Sequence, residues 1–231
     1  MSTEQRHDTR GLWHDNPALV QLLGLSPLLA MSDATVTALA LGLCTLLVLM
    51  CSNLCTSLLR NRLSPALRLP VFALLIASFT TVLELTMSAY AYPLSQRLGI
   101  FLPLIAANSL LFARAERCAS KASPSIAVKD AVLMGLGFLF VFIALGMTRE
   151  LLGTGQLFAD LEQLLPFAAN WKLSVFGDAP LPLALLPPGA LLLLGGFAAF
   201  KNVLDQRRAR TLPEPELPPP GSKRVRVTGQ L

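Results

Sequence analysis

Three stretches of this chain stay apolar for about the length of a membrane crossing: residues 35–57, 69–92 and 131–148. A bilayer's hydrocarbon core, roughly 30 Å thick, takes about 20 helical residues. Charged residues make up 14% of the chain, whereas soluble domains carry about 25%. The sequence therefore predicts an all-α integral membrane protein.

A fourth apolar block, residues 181–200, is interrupted by two prolines and a glycine. Proline inside a helix removes a backbone hydrogen bond and kinks or breaks the helix. We therefore expect a short lead-in, followed by a spanning helix that begins near Pro187.

Two shorter apolar segments, residues 17–32 and 98–113, each contain an internal proline, Pro27 and Pro103. Each segment has 16 residues, which would make a helix of about 24 Å. Such segments are too short and too broken for ordinary spans. They are typical of discontinuous helices whose freed backbone groups face protein or a cavity rather than lipid.

The order short-broken, long, long occurs twice along the chain. "LGLSPLLA" at 23–30 and "LGIFLPLIA" at 98–106 share Leu-Gly, Pro-Leu and a final Ala. We predict six transmembrane helices as a 3+3 inverted repeat with two broken half-helices, because three crossings per half invert the second half. Inverted repeats of this kind place functional sites near the bilayer midplane. The alternative is a chance similarity between Leu-, Gly- and Pro-rich segments.

The predicted membrane domain covers residues 17–206, with repeat halves of about 17–92 and 98–205. Residues 1–16 are expected to form a cytoplasmic N-terminus, and 207–231 a disordered, Pro-rich, basic cytoplasmic tail. Sixteen of the 19 Lys and Arg residues fall on the side that holds both termini in this topology. The positive-inside rule therefore places both termini in the cytoplasm. Since these basic residues sit between membrane segments, we expect contact with lipid and no nucleic-acid partner.

Glu84 lies inside the apolar run 69–92, about eight residues or roughly 12 Å from its outer end. A carboxylate at that depth is costly and indicates function by default. We interpret Glu84 as a candidate for cation or proton coupling. The alternative is a residue close to the outer interface, hydrogen-bonded to Thr80, Thr81 or Ser88.

Arg149 and Glu150 follow the third long run at its outer end. We interpret them as an interfacial ion pair, with a subunit contact as the alternative; exposed pairs of this kind contribute little to stability. Asp130 precedes the same run and is predicted to cap its N-terminus. Arg114 and Glu116 are expected to anchor the end of the second broken segment.

Other polar side chains in the membrane segments are weaker candidates. Asn53 and Asn108 are expected to hold helices together through hydrogen bonds. Cys51 and Cys55 share a helix face and could bind a metal, but no second cysteine pair is visible, so packing is the preferred interpretation. The sequence has no phosphate-binding loop, nucleophile elbow or HExxH motif. We therefore expect no catalysis by this chain alone.

Four ordered motifs resemble one known family: "NPALVQLLGLSPLLA" at 16–30, "LGIFLPLIAANSLLFARAE" at 98–116, "TRELLGTG" at 148–155 and "LPPGA" at 186–190. They resemble the E subunits of bacterial Rnf/Rsx ion-translocating oxidoreductase complexes and the related D subunits of sodium-pumping NADH:quinone reductases. The resemblance covers residues 16–206. It implies an inner-membrane subunit that pairs with a homologous A subunit of opposite topology. The complex would couple electron transfer between ferredoxin and a nicotinamide carrier to sodium or proton movement.

The resemblance also implies a [2Fe–2S] cluster, held by one cysteine from each broken helix and two from the homologous partner. This sequence has Ser26 and Ser109 at those two positions, although thiolates are the usual ligands of such clusters. Three interpretations stay open: the serines ligate iron, Cys44 or another cysteine substitutes, or this chain holds no cluster. From a different class of function, a stand-alone inverted-repeat secondary transporter that uses Glu84 is the alternative hypothesis.

Overall fold

A computed structural model describes residues 13–157, 173–174 and 181–211 of the chain. Most of the predicted N-terminal segment 1–16 and of the predicted tail 207–231 lies outside the described residues. So does most of the long connection that follows Leu157.

The described residues are almost entirely helical. The longest helix, α6, has 31 residues, and the only strands among the described residues, β1 and β2, pair antiparallel over two residues each. The elements are α1 (Leu25–Ala30), α2 (Thr35–Leu59), α3 (Arg68–Tyr90), α4 (Tyr92–Leu98), α5 (Ser109–Arg114), α6 (Pro124–Thr154), β1 (Gln156–Leu157), β2 (Leu173–Ser174), α7 (Pro182–Leu185) and α8 (Pro187–Thr211).

Five helical segments of the described chain are long and apolar enough to cross a membrane: Thr35–Leu59, Pro65–Tyr90, Tyr92–Ala119, Pro124–Thr154 and Pro187–Arg207. The prediction of an all-α membrane protein is thus confirmed. The sixth predicted segment, residues 17–32, forms a turn and then the six-residue α1, so it does not form a continuous spanning helix.

Both proline-containing segments are discontinuous, as predicted. The second is a chain of short pieces: two 3-10 turns, Gly99–Phe101 and Pro103–Ala107, lead to α5, and a π-helical turn, Ala115–Ala119, follows it. Asn108 separates the second 3-10 turn from α5 with an extended backbone. The breaks follow from the prolines and glycines, which remove backbone donors or release the helical conformation.

The first long helix of each predicted half is α2 in one and α6 in the other, and the two run antiparallel. Thr35 at the start of α2 contacts Glu150 near the end of α6. At the opposite end, the Ser57 hydroxyl donates to the carbonyl of Ala122, just before α6 begins. Opposite directions for corresponding helices are what an inverted repeat requires.

The core of the membrane domain lies where α2, α6 and the broken segments meet. Its fully buried side chains include Leu28, Leu41, Leu110, Phe138 and Phe142. The rings of Phe138 and Phe142 meet edge to face, with centroids 5.5 Å apart. Helix α3 is mostly exposed by comparison, so one long side of this chain faces lipid or another protein.

Two predicted boundaries can be compared with the structure. The short lead-in α7 and the start of α8 at Pro187 confirm the interpretation of the last block. The third long run starts earlier than expected, at Pro124, because proline suits the first helical turn. Asp130 therefore lies inside α6, and its prediction as an N-cap is wrong.

The chain divides into two compact units, Met1–Ala198 and Ala199–Leu231. The first contains the core and both broken segments. In the second, Lys201 Nζ lies 2.6 Å from a carboxylate oxygen of Asp205, one helical turn away.

Candidate functional site: the crossing of the broken segments

The two broken segments meet at Gly24 and Ser109. The backbone N–H of Gly24 donates to Ser109 Oγ at 3.1 Å, across 85 residues of sequence. Gly24 has a φ of +70°, a left-handed conformation that favours glycine. A Cβ at this position would lie 2.8 Å from Cε2 of Phe138 and 3.1 Å from Oδ1 of Asn108. The close approach of the segments therefore depends on the absence of a side chain here.

Asn108 fixes the second arm of the crossing. Its Oδ1 accepts a hydrogen bond from the N–H of Leu110 at 3.0 Å, so the side chain caps the N-terminus of α5. Its Nδ2 is buried without a hydrogen-bond partner among the described residues. Among the described residues, the Asn108 side chain therefore caps its own helix and makes no hydrogen bond to another, so the predicted role in joining helices is wrong for Asn108.

Ser26 and Ser109 both lie exposed on the surface of this chain, Ser26 in the first turn of α1 and Ser109 at the start of α5. Pro27 is buried next to Ser26, whereas Pro103 is exposed near Ser109. The structure therefore gathers the two broken segments at one crossing, with both hydroxyls open to a neighbouring molecule.

The residues at the crossing do not fit a thiolate-held [2Fe–2S] cluster. Neither broken segment, 17–32 or 98–113, contains a cysteine: the four cysteines are Cys44, Cys51, Cys55 and Cys118. Ser109 Oγ is also already engaged by the N–H of Gly24. A serine oxygen is a harder and more basic ligand than a thiolate, which is what iron–sulfur clusters take. Among the described residues, no group of three His, Cys, Asp or Glu side chains could hold a metal ion.

Arg149 anchors the end of the first broken segment from the inside. The residue is 1% exposed. Its Nη1 donates to the carbonyl of Leu29 at 3.1 Å and to the hydroxyl of Ser32 at 2.6 Å. Its Nε donates to the carbonyl of Ala184 at 2.9 Å, and Nη2 donates to the carbonyl of Leu185. Helix C-termini leave carbonyls without intrahelical partners, and this guanidinium satisfies such carbonyls in α1 and α7 together.

Glu150 caps the start of α2. Its carboxylate accepts a hydrogen bond from the N–H of Thr35 at 2.8 Å and another from the Thr35 hydroxyl. A carboxylate at a helix N-terminus also interacts favourably with the helix dipole. The interpretation of Arg149 and Glu150 as an interfacial ion pair is wrong, because both are buried and bind different helix ends within this chain.

On the opposite side of the domain, Arg114 at the end of α5 binds Asp130 of α6. Arg114 Nε lies 2.9 Å from Asp130 Oδ2, and Nη2 donates to Oδ1, which gives a two-point contact. The predicted anchoring role of Arg114 is confirmed, with Asp130 as its partner. Glu116 contributes a carbonyl that accepts from the Ser120 hydroxyl.

Asn16 begins the first of the four motifs, and sequence reasoning assigns it no role. It is buried, and its Oδ1 accepts from the N–H groups of Ala18 and Leu19, both at 3.0 Å. Its Nδ2 donates to the carbonyl of Gly137 in α6, also at 3.0 Å. Asparagine side chains often bond the backbone two residues on, as in turns. The bonds of Asn16 to Ala18 and Leu19 could therefore be predicted from the sequence, whereas its bond to Gly137 could not.

Glu84 lies on α3, away from the crossing in sequence, and is half-buried. No hydrogen bond or ion pair reaches its carboxylate within the part of the chain that the structure describes. The neighbouring hydroxyls have other partners: Thr80 donates to Ile76, Thr81 to Ala77, and Ser88 pairs with Ser95. The alternative of a Glu84 held by these hydroxyls is therefore not what the structure shows.

Fold and site together define a polytopic helical membrane protein whose two inverted halves each contribute a broken helix to one crossing. Residues 7–198 match the family described as Rnf-Nqr subunit, membrane protein. The chain belongs to this family.

Curated relatives agree with that assignment over nearly the whole chain. The chain is 50% identical over 225 residues to the E subunit of the ion-translocating oxidoreductase complex of Pseudomonas aeruginosa (strain UCBPP-PA14), covering 96% of this chain and 94% of the relative. Proteins of the same name from Cellvibrio japonicus (strain Ueda107) and Shewanella sp. (strain MR-4) are 49% and 46% identical, over 226 and 221 residues. These two alignments cover 96% and 95% of this chain and 95% of each relative.

Proposed function

We propose that this chain is a membrane subunit of an electron-transport complex that couples electron transfer between ferredoxin and NADH to ion translocation. The observation that carries the proposal is the near full-length similarity to proteins named as the E subunit of an ion-translocating oxidoreductase complex. Within that complex we assign the chain a structural and ion-coupling part.

Deletion of the chain from its host tests this function. Membranes of the deletion strain should lose ferredoxin–NADH electron transfer and the ion gradient that it generates, and a plasmid copy should restore both. Unchanged activity in the deletion strain would refute the proposal.

The crossing of the broken segments is the proposed contact with a homologous, inverted A subunit. Ser26, Ser109 and Pro103 are exposed there, and an inverted-repeat protein that meets an inverted homologue would bring matching broken helices together at mid-membrane. A single cysteine at Ser26, in a background without the native cysteines, should cross-link to that partner in membranes. The matched control is Ser125→Cys, an exposed serine at the start of α6. Equal cross-linking from both positions would contradict the proposed contact.

At this crossing we propose that the chain supplies no ligand to an iron–sulfur cluster. The support is chemical: both positions carry hydroxyls, and the Ser109 hydroxyl accepts a hydrogen bond from Gly24. Iron analysis and EPR of the purified complex should show a [2Fe–2S] signal that appears only with Ser26→Cys and Ser109→Cys together. A native signal that the double variant leaves unchanged would contradict the proposal.

The proposed location is the bacterial inner membrane, with both termini in the cytoplasm. The support is the charge distribution, since sixteen of the 19 basic residues would then face the cytoplasm. A C-terminal green fluorescent protein fusion should fluoresce and a C-terminal alkaline phosphatase fusion should be inactive. The reverse pattern would overturn this topology.

A second candidate function rests on Glu84, whose carboxylate is half-buried within α3 and bonded to nothing in the described chain. A carboxylate in that setting suits a coupling site for a proton or sodium ion. As a stand-alone secondary transporter, the purified chain in liposomes would move an ion without a redox partner, and Glu84→Gln would abolish that movement. Transport that occurs only when the flavin and iron–sulfur subunits are present would instead support the role as a subunit of the complex.

A further inference from the structure

Two buried side chains on α2 have polar atoms without partners. Asn53 is 0% exposed and Thr56 is 1% exposed. Both amide atoms of Asn53 and the hydroxyl oxygen of Thr56 have no hydrogen-bond partner among the described residues. Leaving such groups unpaired is costly, so these three buried atoms point to a bound partner that the chain itself does not supply.

Helix geometry places both side chains on the face of α2 that packs against α6. Leu139 fills the space beside Gly42, and Leu46 and Leu49 lie beside Gly135. Positions 42, 46 and 49 therefore form the stripe of α2 that touches α6, with spacings of four and three residues. Asn53 and Thr56 continue the same stripe at the same spacings, which keeps them on the same helix face.

The facing part of α6 has small side chains. The contact between Leu46 and Gly135 lies on one side of Asn53 and Thr56 along α2. The hydrogen bond from Ser57 to Ala122, 2.7 Å long, lies on the other side. Between these two contacts, α6 presents Ala127 and Ala131, both fully buried. Alanine side chains carry no polar atom, so they offer the pair no hydrogen bond.

The unpaired state of Thr56 is not the ordinary behaviour of a threonine in this helix. Thr45, equally buried on α2, donates its hydroxyl to the carbonyl of Leu41, four residues back, at 2.8 Å. Such back-bonding is the usual solution for hydroxyls inside helices. The Thr56 hydroxyl makes no such bond within the described residues.

Of the possible ligands, water best matches the hydrogen-bonding groups of this cluster. The amide nitrogen of Asn53 needs an acceptor and its oxygen needs a donor, while the Thr56 hydroxyl can serve as either. A metal cation satisfies oxygens alone and would leave the amide nitrogen unpaired. A partner subunit cannot reach a side chain that is 0% exposed. Water donates and accepts, and buried water typically binds groups of this kind in protein interiors.

We propose that the seam between α2 and α6 holds an ordered internal water site, formed by the amide of Asn53 and the hydroxyl of Thr56. The water joins the first half of the repeat to the second, because α2 and α6 belong to different halves. The site does not depend on the proposed redox function.

A double-mutant cycle in the membrane-embedded complex tests the water site by thermal denaturation. Thr56→Val removes one partner of the water and should lower the melting temperature by about 2–4 °C. In an Asn53→Leu background the leucine displaces the water, so the further shift caused by Thr56→Val should vanish. The matched control, Thr45→Val, should give the same shift in both backgrounds, since its hydroxyl bonds its own helix.

An equal shift for Thr56→Val in both backgrounds, or none in either, would overturn the proposal. Where Asn53→Leu prevents assembly, a map of the unmodified complex that resolves ordered water gives an independent answer. The map should show density within about 2.7–3.2 Å of both side chains. Both side chains bonded to protein atoms, or density with oxygen ligands alone, would count against the water.

Discussion

Replacing Arg149 by methionine should destabilise the membrane domain strongly. The guanidinium donates four hydrogen bonds, to Leu29, Ser32, Ala184 and Leu185. Hydrogen bonds to a charged group contribute about 1.5–3 kcal/mol each, and the cost of burying the guanidinium, several kcal/mol, offsets part of that sum. We expect a net loss of about 3–5 kcal/mol.

The loss should be visible as a change in thermal stability. For a domain of this size, a change of 1 kcal/mol shifts the melting temperature by about 2–4 °C, so Arg149→Met should lower it by roughly 6–20 °C. The complex is heated in detergent, and the fraction that stays intact at each temperature is measured by size-exclusion chromatography. Arg149→Lys keeps the charge but loses the planar fork that reaches α1 and α7 together, so an intermediate loss is expected.

The matched control is Arg62→Met, which removes an exposed arginine between α2 and α3. It should leave the melting temperature unchanged, since exposed charges contribute little. If Arg149→Met and Arg62→Met gave the same melting temperature, the assignment of Arg149 as the clamp between α1 and α7 would be refuted.

Three further changes test the other contacts by the same thermal assay. Gly24→Ala should lower the free energy of unfolding by about 1–3 kcal/mol, because its φ is +70° and the new Cβ meets neighbours within 3.1 Å. The control is Gly195→Ala in α8, where a new Cβ has open space; it should cost less, and the reverse order would contradict the close crossing. Glu150→Ala removes the carboxylate that caps the start of α2 at Thr35, so the free energy of unfolding should fall by about 0.5–2 kcal/mol. An unchanged melting temperature would show that Glu150 does not stabilise this helix end. Asp130→Asn leaves Arg114 without its counter-charge and should lower the free energy of unfolding by about 1.5–3 kcal/mol, since the pair is partly buried. Full stability would refute a stabilising contact between Arg114 and Asp130.

Part of the candidate site follows from the sequence because it rests on local chemistry. A proline removes a backbone donor wherever it stands, so Pro27 and Pro103 were enough to predict two broken segments. The start of α8 at Pro187 follows from the same rule. Ser26 and Ser109 were also visible as positions of interest, through the resemblance of their motifs to a known family.

The roles of Arg149 and Glu150 could not be predicted in the same way. Arg149 binds carbonyls 35 and 120 residues away, and Glu150 binds Thr35 across 115 residues. Two charged neighbours at the end of an apolar run look like an exposed pair because sequence does not tell which helix ends arrive beside them. The prediction for Asp130 failed for a related reason. Asp130 lies inside α6 and pairs with Arg114 on another element, and sequence position alone does not show that contact.

By itself, then, the sequence determined the membrane class, the presence of the long helices, the broken segments and the repeated order, because hydrophobic length and backbone chemistry are local properties. Only the tertiary structure decided that Gly24 lies against Ser109, that Arg149 and Glu150 are buried caps, and that Asn53 and Thr56 are buried. Each of these depends on the register between distant helices. That register is set by the packing of many side chains at once, so it cannot be predicted from any single residue.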